Sequence, residues 1–212
     1  MLTPEEGGTF RDGLSRRAFV RGSALTSAGA AVVHTASAII GAAQAKEADS
    51  KLIIGPDPAP ISLRVNGVAR LVQVEPRMTL AEALRGPLGL TGTKIACNRG
   101  ACSACTVWLD GVTVCACMML AIEVGARNVT TIEGLATGDK LHPVQAAFIE
   151  HDALQCGFCT PGMVMSCAAL LDHKSDPTAD DVNAAIGGHF CRCGTYPHVV
   201  TATLAAASAR KA

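Results

Sequence analysis

The stretch Cys97-Asn98-Arg99-Gly100-Ala101-Cys102-Ser103-Ala104-Cys105, followed after eleven residues by Cys117, decides how the rest of the chain is read. C-x4-C-x2-C with a later fourth cysteine is the spacing of a plant-type [2Fe-2S] ligand run. Four thiolates can enclose two irons and two sulfides only where the backbone bends sharply inward, and Gly92 and Gly100 are the small residues such a loop needs. A loop folded this way aims backbone N–H groups at the sulfurs, and those hydrogen bonds help set a reduction potential.

Upstream of the loop, Ile61–Val65 alternates, Asn66-Gly67 signals a type I′ turn, and Val72 and Val74 continue the period of two, which predicts a hairpin. Thr79-Leu80-Ala81-Glu82 is a capping box before a short helix that Gly86 and Pro87 end. Downstream, Thr106–Leu109 and Val112–Val114 flank Asp110-Gly111 as a second hairpin, and Val129–Ile132 offers a last short strand. Glycines between Leu135 and Lys140 mark a boundary, beyond which the pattern turns helical. Helices are expected to open at His142-Pro143, Thr160-Pro161, Thr178 and Pro197. The predicted fold class is therefore α+β: a small mixed sheet with one helix, then a bundle of four helices.

A second cysteine set, Cys156-Gly157-Phe158-Cys159 and Cys191-Arg192-Cys193-Gly194, falls between those helices. Helix N-termini there favour the charge of thiolates. Alone, C-x2-C with C-x-C suits zinc as well as iron, and a redox centre in the first set favours iron in the second. The chain's ten cysteines leave two outside these sets. Cys167 shares a helical face with Met163 and Leu171 and reads as a core residue. Cys115, two residues before Cys117, is a competing ligand. The histidines pair with no cysteine, which argues against a Rieske centre; His142, His151, His173, His189 and His198 read as structural or solvent-facing.

Of the 212 residues, 18 are basic and 18 acidic, and only 3% are aromatic. That balance gives no electrostatic support to nucleic acid binding. Ser15-Arg16-Arg17-Ala18-Phe19-Val20-Arg21, the mildly apolar run from Gly22 to Ala43, and Ala43-Gln44-Ala45 form a twin-arginine targeting pattern with a small-residue cleavage site. His34 and the many small polar residues make the run less apolar than a membrane-spanning helix. Residues 1–45 are thus expected to be a signal peptide, 46–60 a proline-containing linker, 61–136 the first metal domain and 137–212 the helical one. The expected location is the periplasm, with membrane contact only through export. Twin-arginine export carries proteins already folded, which suits a chain loaded with metal beforehand.

Taken together, Thr93-Lys94, the first cysteine run, Cys105-Thr106-Val107, Thr131–Leu135, His142–Gln145, Gln155–Gly162 and Cys191–Tyr196 resemble the small iron–sulfur subunit of the xanthine dehydrogenase and aldehyde oxidoreductase family. With the twin-arginine segment, the chain looks most similar to the periplasmic aldehyde oxidoreductases of that family. The resemblance implies a β-grasp ferredoxin-like domain carrying one [2Fe-2S] cluster on Cys97, Cys102, Cys105 and Cys117, and it favours Cys117 over Cys115. It implies a four-helix domain carrying a second cluster on Cys156, Cys159, Cys191 and Cys193. It also implies a large partner subunit whose molybdopterin cofactor hydroxylates an aldehyde or N-heterocycle, with Gln155 and Cys193 near the pterin. Electrons would leave through the ferredoxin-like cluster to an FAD subunit or a cytochrome, and this chain would hold no catalytic residue. Ala96 and Ser103 stand where the family usually has glycine, so Ser103 is expected to add a hydrogen bond near the sulfurs. Two other readings compete. One is a free two-cluster ferredoxin-type carrier, separable by whether the chain purifies with a large partner. The other is a disulfide-bonded exported module, which the Cys191-Arg192-Cys193 spacing disfavours.

Overall fold

The computed structural model describes residues 55–210; the twin-arginine segment and its cleavage site lie outside them. Strand β1 (Ala59–Val65) turns at Asn66-Gly67 into β2 (Val68–Val74), and the two pair antiparallel from Ala59↔Val74 to Val65↔Val68. Strand β1 thus takes in Ala59 and Pro60, which the composition had placed in the linker. Proline is tolerated at the start of a strand, where its missing N–H breaks little of the ladder. The turn needs left-handed backbone, and Asn66 (φ 51°) and Gly67 (φ 79°) provide it.

Helix α1 (Leu80–Arg85) is held by the full capping box of Thr79 and Glu82. Strands β3 (Thr106–Leu109) and β4 (Val112–Cys115) form the second hairpin. Strand β5 is Asn128–Thr130, shorter than the sequence suggests, because Ile132–Gly134 winds into a 3-10 turn. The sheet order is β2-β1-β5-β3-β4. Strand β5 pairs parallel with β1 and antiparallel with β3, so the sheet is mixed. Leu63, Val65, Val72, Val74, Leu80, Leu84, Val107 and Val129 fill the core between the sheet and α1. Each such burial is worth about 1.5–3 kcal/mol.

Four helices follow: α2 (Pro143–Glu150), α3 (Thr160–His173), α4 (Ala179–Ile186) and α5 (Tyr196–Ala209). They share a second core of Val144, Phe148, Met163, Cys167, Leu171, Val182, Ile186 and Val199. Helix α2 is capped by a device the sequence did not suggest. The His142 ring accepts from Val144 N at 3.3 Å, while Gln145 reaches back to His142 N at 2.9 Å. Helix α3 lies against β3, and the indole of Trp108 donates to Met165 O at 2.9 Å across that contact. Cys167 is fully buried among apolar neighbours, as the helical spacing predicts, and burial pushes its thiol up to about 11.

Candidate metal centres

The first cysteine run follows α1, and three of its residues adopt left-handed backbone: Asn98 (φ 51°), Gly100 (φ 71°) and Ser103 (φ 54°). These reversals turn consecutive N–H groups inward. Arg99 N and Ala101 N donate to Cys97 Sγ at 3.4 and 3.3 Å, Gly100 N to Cys117 Sγ at 3.3 Å, and Cys117 N to Cys105 Sγ at 3.5 Å. Cys117 arrives on the 3-10 turn Ala116–Met118 just after β4. The thiols fall in twos, Cys97 beside Cys102 and Cys105 beside Cys117. The Arg99 N–H at the Cys97 sulfur holds that thiol down to about 7, whereas burial pushes Cys105 up to about 12.

Cys115 ends β4, half buried, with its sulfur 3.9 Å from Ser103 Oγ. The Ser103 hydroxyl therefore meets the cysteine outside the run. Ala96 is exposed, so its methyl group meets no crowding.

The second set occupies the junctions α2–α3 and α4–α5. Cys159 is the N-cap of α3, and Cys191 and Cys193 precede α5. Here too the thiols are paired, Cys156 with Cys193 and Cys159 with Cys191. Burial pushes Cys159 up to about 12; at Cys191 burial acts the same way, but the hydroxyl and backbone of Thr195 outweigh it and pull the thiol to about 7. Cys156 is exposed, as is Gln155 beside it, while Cys159 is buried, so the set has an outward and an inward pair.

Several residues that shape this site were not singled out individually from the sequence. Thr195 Oγ1 lies 3.3 Å from Cys191 Sγ. Tyr196 OH accepts from Cys191 N at 2.8 Å and donates to His189 O at 3.0 Å. Phe190 N donates to Cys102 O at 3.3 Å, so one hydrogen bond joins the backbone of the first set to the residue preceding Cys191. His189 is buried against Ser166, its Nε2 2.7 Å from Ser166 Oγ, and burial drops its ring to about 4. The signal available in the sequence was nearness to Cys191.

A zinc site needs four donors around a single centre, whereas a two-iron cluster takes two ligands on each iron. Four thiols at each site, with N–H groups at the sulfurs of the first, are a donor set that a two-iron cluster takes. All ten cysteines are free thiols.

Comparison with known proteins agrees with this geometry. Residues 63–128 match a 2Fe-2S iron-sulfur cluster binding domain, and residues 131–204 match a [2Fe-2S] binding domain. The chain is 40% identical over 204 residues to the aldehyde oxidoreductase iron-sulfur-binding subunit PaoA of Escherichia coli O157:H7, covering 89% of this chain and 86% of that one. It belongs to the family of iron–sulfur subunits of molybdenum hydroxylases. The nicotine 6-hydroxylase small subunit of Paenarthrobacter nicotinovorans is 45% identical over 148 residues, covering 70% of this chain and 89% of that protein. The crystal structure of quinoline 2-oxidoreductase from Pseudomonas putida 86 superposes with a TM-score of 0.70 at 41% identity, covering 73% of this chain and 97% of that one. Two [2Fe-2S] domains thus follow one another along the chain.

Proposed function

We propose that this subunit relays electrons from the molybdenum cofactor of a large partner subunit through two [2Fe-2S] clusters to an FAD subunit or a cytochrome. The second domain then acts as a four-helix bundle around its cluster. Cys97, Cys102, Cys105 and Cys117 would hold one cluster, and Cys156, Cys159, Cys191 and Cys193 the other. When bound, the clusters supply one-electron carriers. The chain's own residues fix where those carriers stand and how they connect. The observation that most favours a relay is the polarity of the second set. Its outward pair, Cys156 and Cys193, lies at the surface beside exposed Gln155, the side we assign to the pterin. Its inward pair includes Cys191, whose neighbour Phe190 is hydrogen-bonded to Cys102. The chain holds no catalytic residue in this reading, since substrate chemistry belongs to the partner's cofactor.

The test is iron and sulfide analysis with EPR of the dithionite-reduced protein, which should give about four irons, about four sulfides and two distinct signals. Half the iron with a single signal, or zinc at the Cys156 set, would defeat the assignment. Co-purification with a large subunit is expected; isolation of a monomeric, cluster-loaded chain from its native source would favour a free carrier.

We further propose export to the periplasm, supported by Arg16-Arg17 and Ala43-Gln44-Ala45. Changing both arginines to lysine should strand a folded, cluster-loaded protein in the cytoplasm, because receptor recognition is lost and folding is not. Fractionation that finds the double variant in the periplasm at the normal level would refute the signal.

A further inference from the structure

Gly162, in the first turn of α3, is buried against the loop between Cys102 and Cys105. A Cβ placed on it would overlap the Ser103 carbonyl oxygen and come within 3.3 Å of the Ala104 carbonyl carbon and Cα. The Ser103 carbonyl has little freedom to retreat, since it accepts from Thr106 N at 3.2 Å and from Thr106 Oγ1 at 2.7 Å. Ala104 is itself buried. Gly162 lies three residues beyond Cys159, and Ser103 one beyond Cys102, so the two cysteine-bearing segments touch backbone to backbone at this point. One turn further along α3, the Trp108 indole bond to Met165 O fixes the same approach.

Gly188 provides a contrast. It borders the same loop, yet a Cβ there would lie 3.4 Å from Ser103 Oγ, beside a cavity of about 210 Å³ lined by Ser103, Cys115, Ser166 and His189. There is room at Gly188 and none at Gly162. Close packing transmits such a difference as displacement, because interiors have few voids to absorb it.

We infer that Gly162 is a positioning residue: by letting α3 seat directly on the Ser103-Ala104 backbone, it sets the distance between the two clusters. The inference rests on the relay reading, since it matters only if both clusters form. Magnetic coupling between neighbouring spins falls with the cube of their separation, and electron tunnelling falls more steeply still, so both report that distance. Neither responds to a merely structural residue elsewhere in the fold.

The experiment compares the cluster-loaded full chain with its Gly162→Ala, Gly188→Ala and Trp108→Phe variants by low-temperature EPR and by the rate of equilibration between clusters after rapid partial reduction. Gly162→Ala should retain four-iron loading and both signals, show a measurably smaller splitting, and equilibrate several-fold more slowly. Gly188→Ala should match the wild type. Wild-type splitting and rate in Gly162→Ala would overturn the inference. Should Gly162→Ala fail to load both clusters, Trp108→Phe decides: weakened splitting supports the seating of α3 as the determinant, and unchanged splitting overturns it. A wild-type chain without two [2Fe-2S] signals is a separate result that removes the relay reading and this inference with it.

Discussion

Replacing Cys117 by alanine should abolish the first cluster and spare the second, whereas replacing Cys115 by alanine should leave both. The two cysteines are two residues apart, but β4 ends between them. Cys117 turns into the loop, takes the Gly100 N–H at 3.3 Å and pairs with Cys105. Cys115 faces Ser103 Oγ and a cavity shared with His189 and Ser166. Loss of Cys117 therefore removes a sulfur from the paired set, and about two of about four irons should go with it. The second set shares no thiol with the first and lies in the other core, so its EPR signal should persist. Replacing Cys193 should give the converse pattern and also stop electron flow from the partner, because that thiol belongs to the outward pair. If Cys115→Ala loses the first signal while Cys117→Ala keeps it, the ligand assignment is wrong.

Gly92→Ala is expected to destabilise the protein, because it crowds a contact that joins segments distant in sequence. Gly92 N donates to Glu133 Oε1 at 2.8 Å, and Glu133 Oε2 accepts from Thr131 Oγ1 at 2.5 Å. Thr131 is held in turn by the Asn66 side chain, which donates to its hydroxyl at 3.0 Å and accepts from its N–H at 2.9 Å. The β1–β2 turn, the approach to the cysteine loop and the connection into the helical domain are thus tied through one carboxylate. A Cβ on Gly92 would overlap Ile132 Cγ2 and lie 2.7 Å from Glu133 Oε1. Overpacking costs about 1–3 kcal/mol, and the exposed Glu133 carboxylate must move aside, which weakens its hydrogen bond to Gly92 N. For a chain of this size that lowers the melting midpoint by roughly 5 °C. Gly55→Ala, where a Cβ meets nothing within 4 Å, should change the midpoint little and serves as the control. A Gly92→Ala protein melting with the wild type would show that Glu133 ties nothing together.

Local chemistry made much of this protein legible from its sequence. The cysteine spacings, the Asn66-Gly67 and Asp110-Gly111 turns, the Thr79 capping box, the helix start at Thr178 and the prolines at helix starts each act within a few residues, so the sequence alone carried them. Cys167 was readable as core because helical periodicity is also local. Tertiary contact decided the rest. The pairing of Cys156 with Cys193 and Cys159 with Cys191 depends on how α3 and α5 bring two distant junctions together. The roles of Cys115 and Ser103 depend on a contact between the end of β4 and the cysteine loop, where Ser103 Oγ meets Cys115 Sγ. Gly92 and Gly162 read in sequence only as small residues, since the atoms that forbid a side chain at each lie about 40 and about 60 residues away along the chain. Spacing determines which atoms can bind a cluster, but the distance between clusters is set by packing between segments far apart in sequence, and no local pattern encodes that.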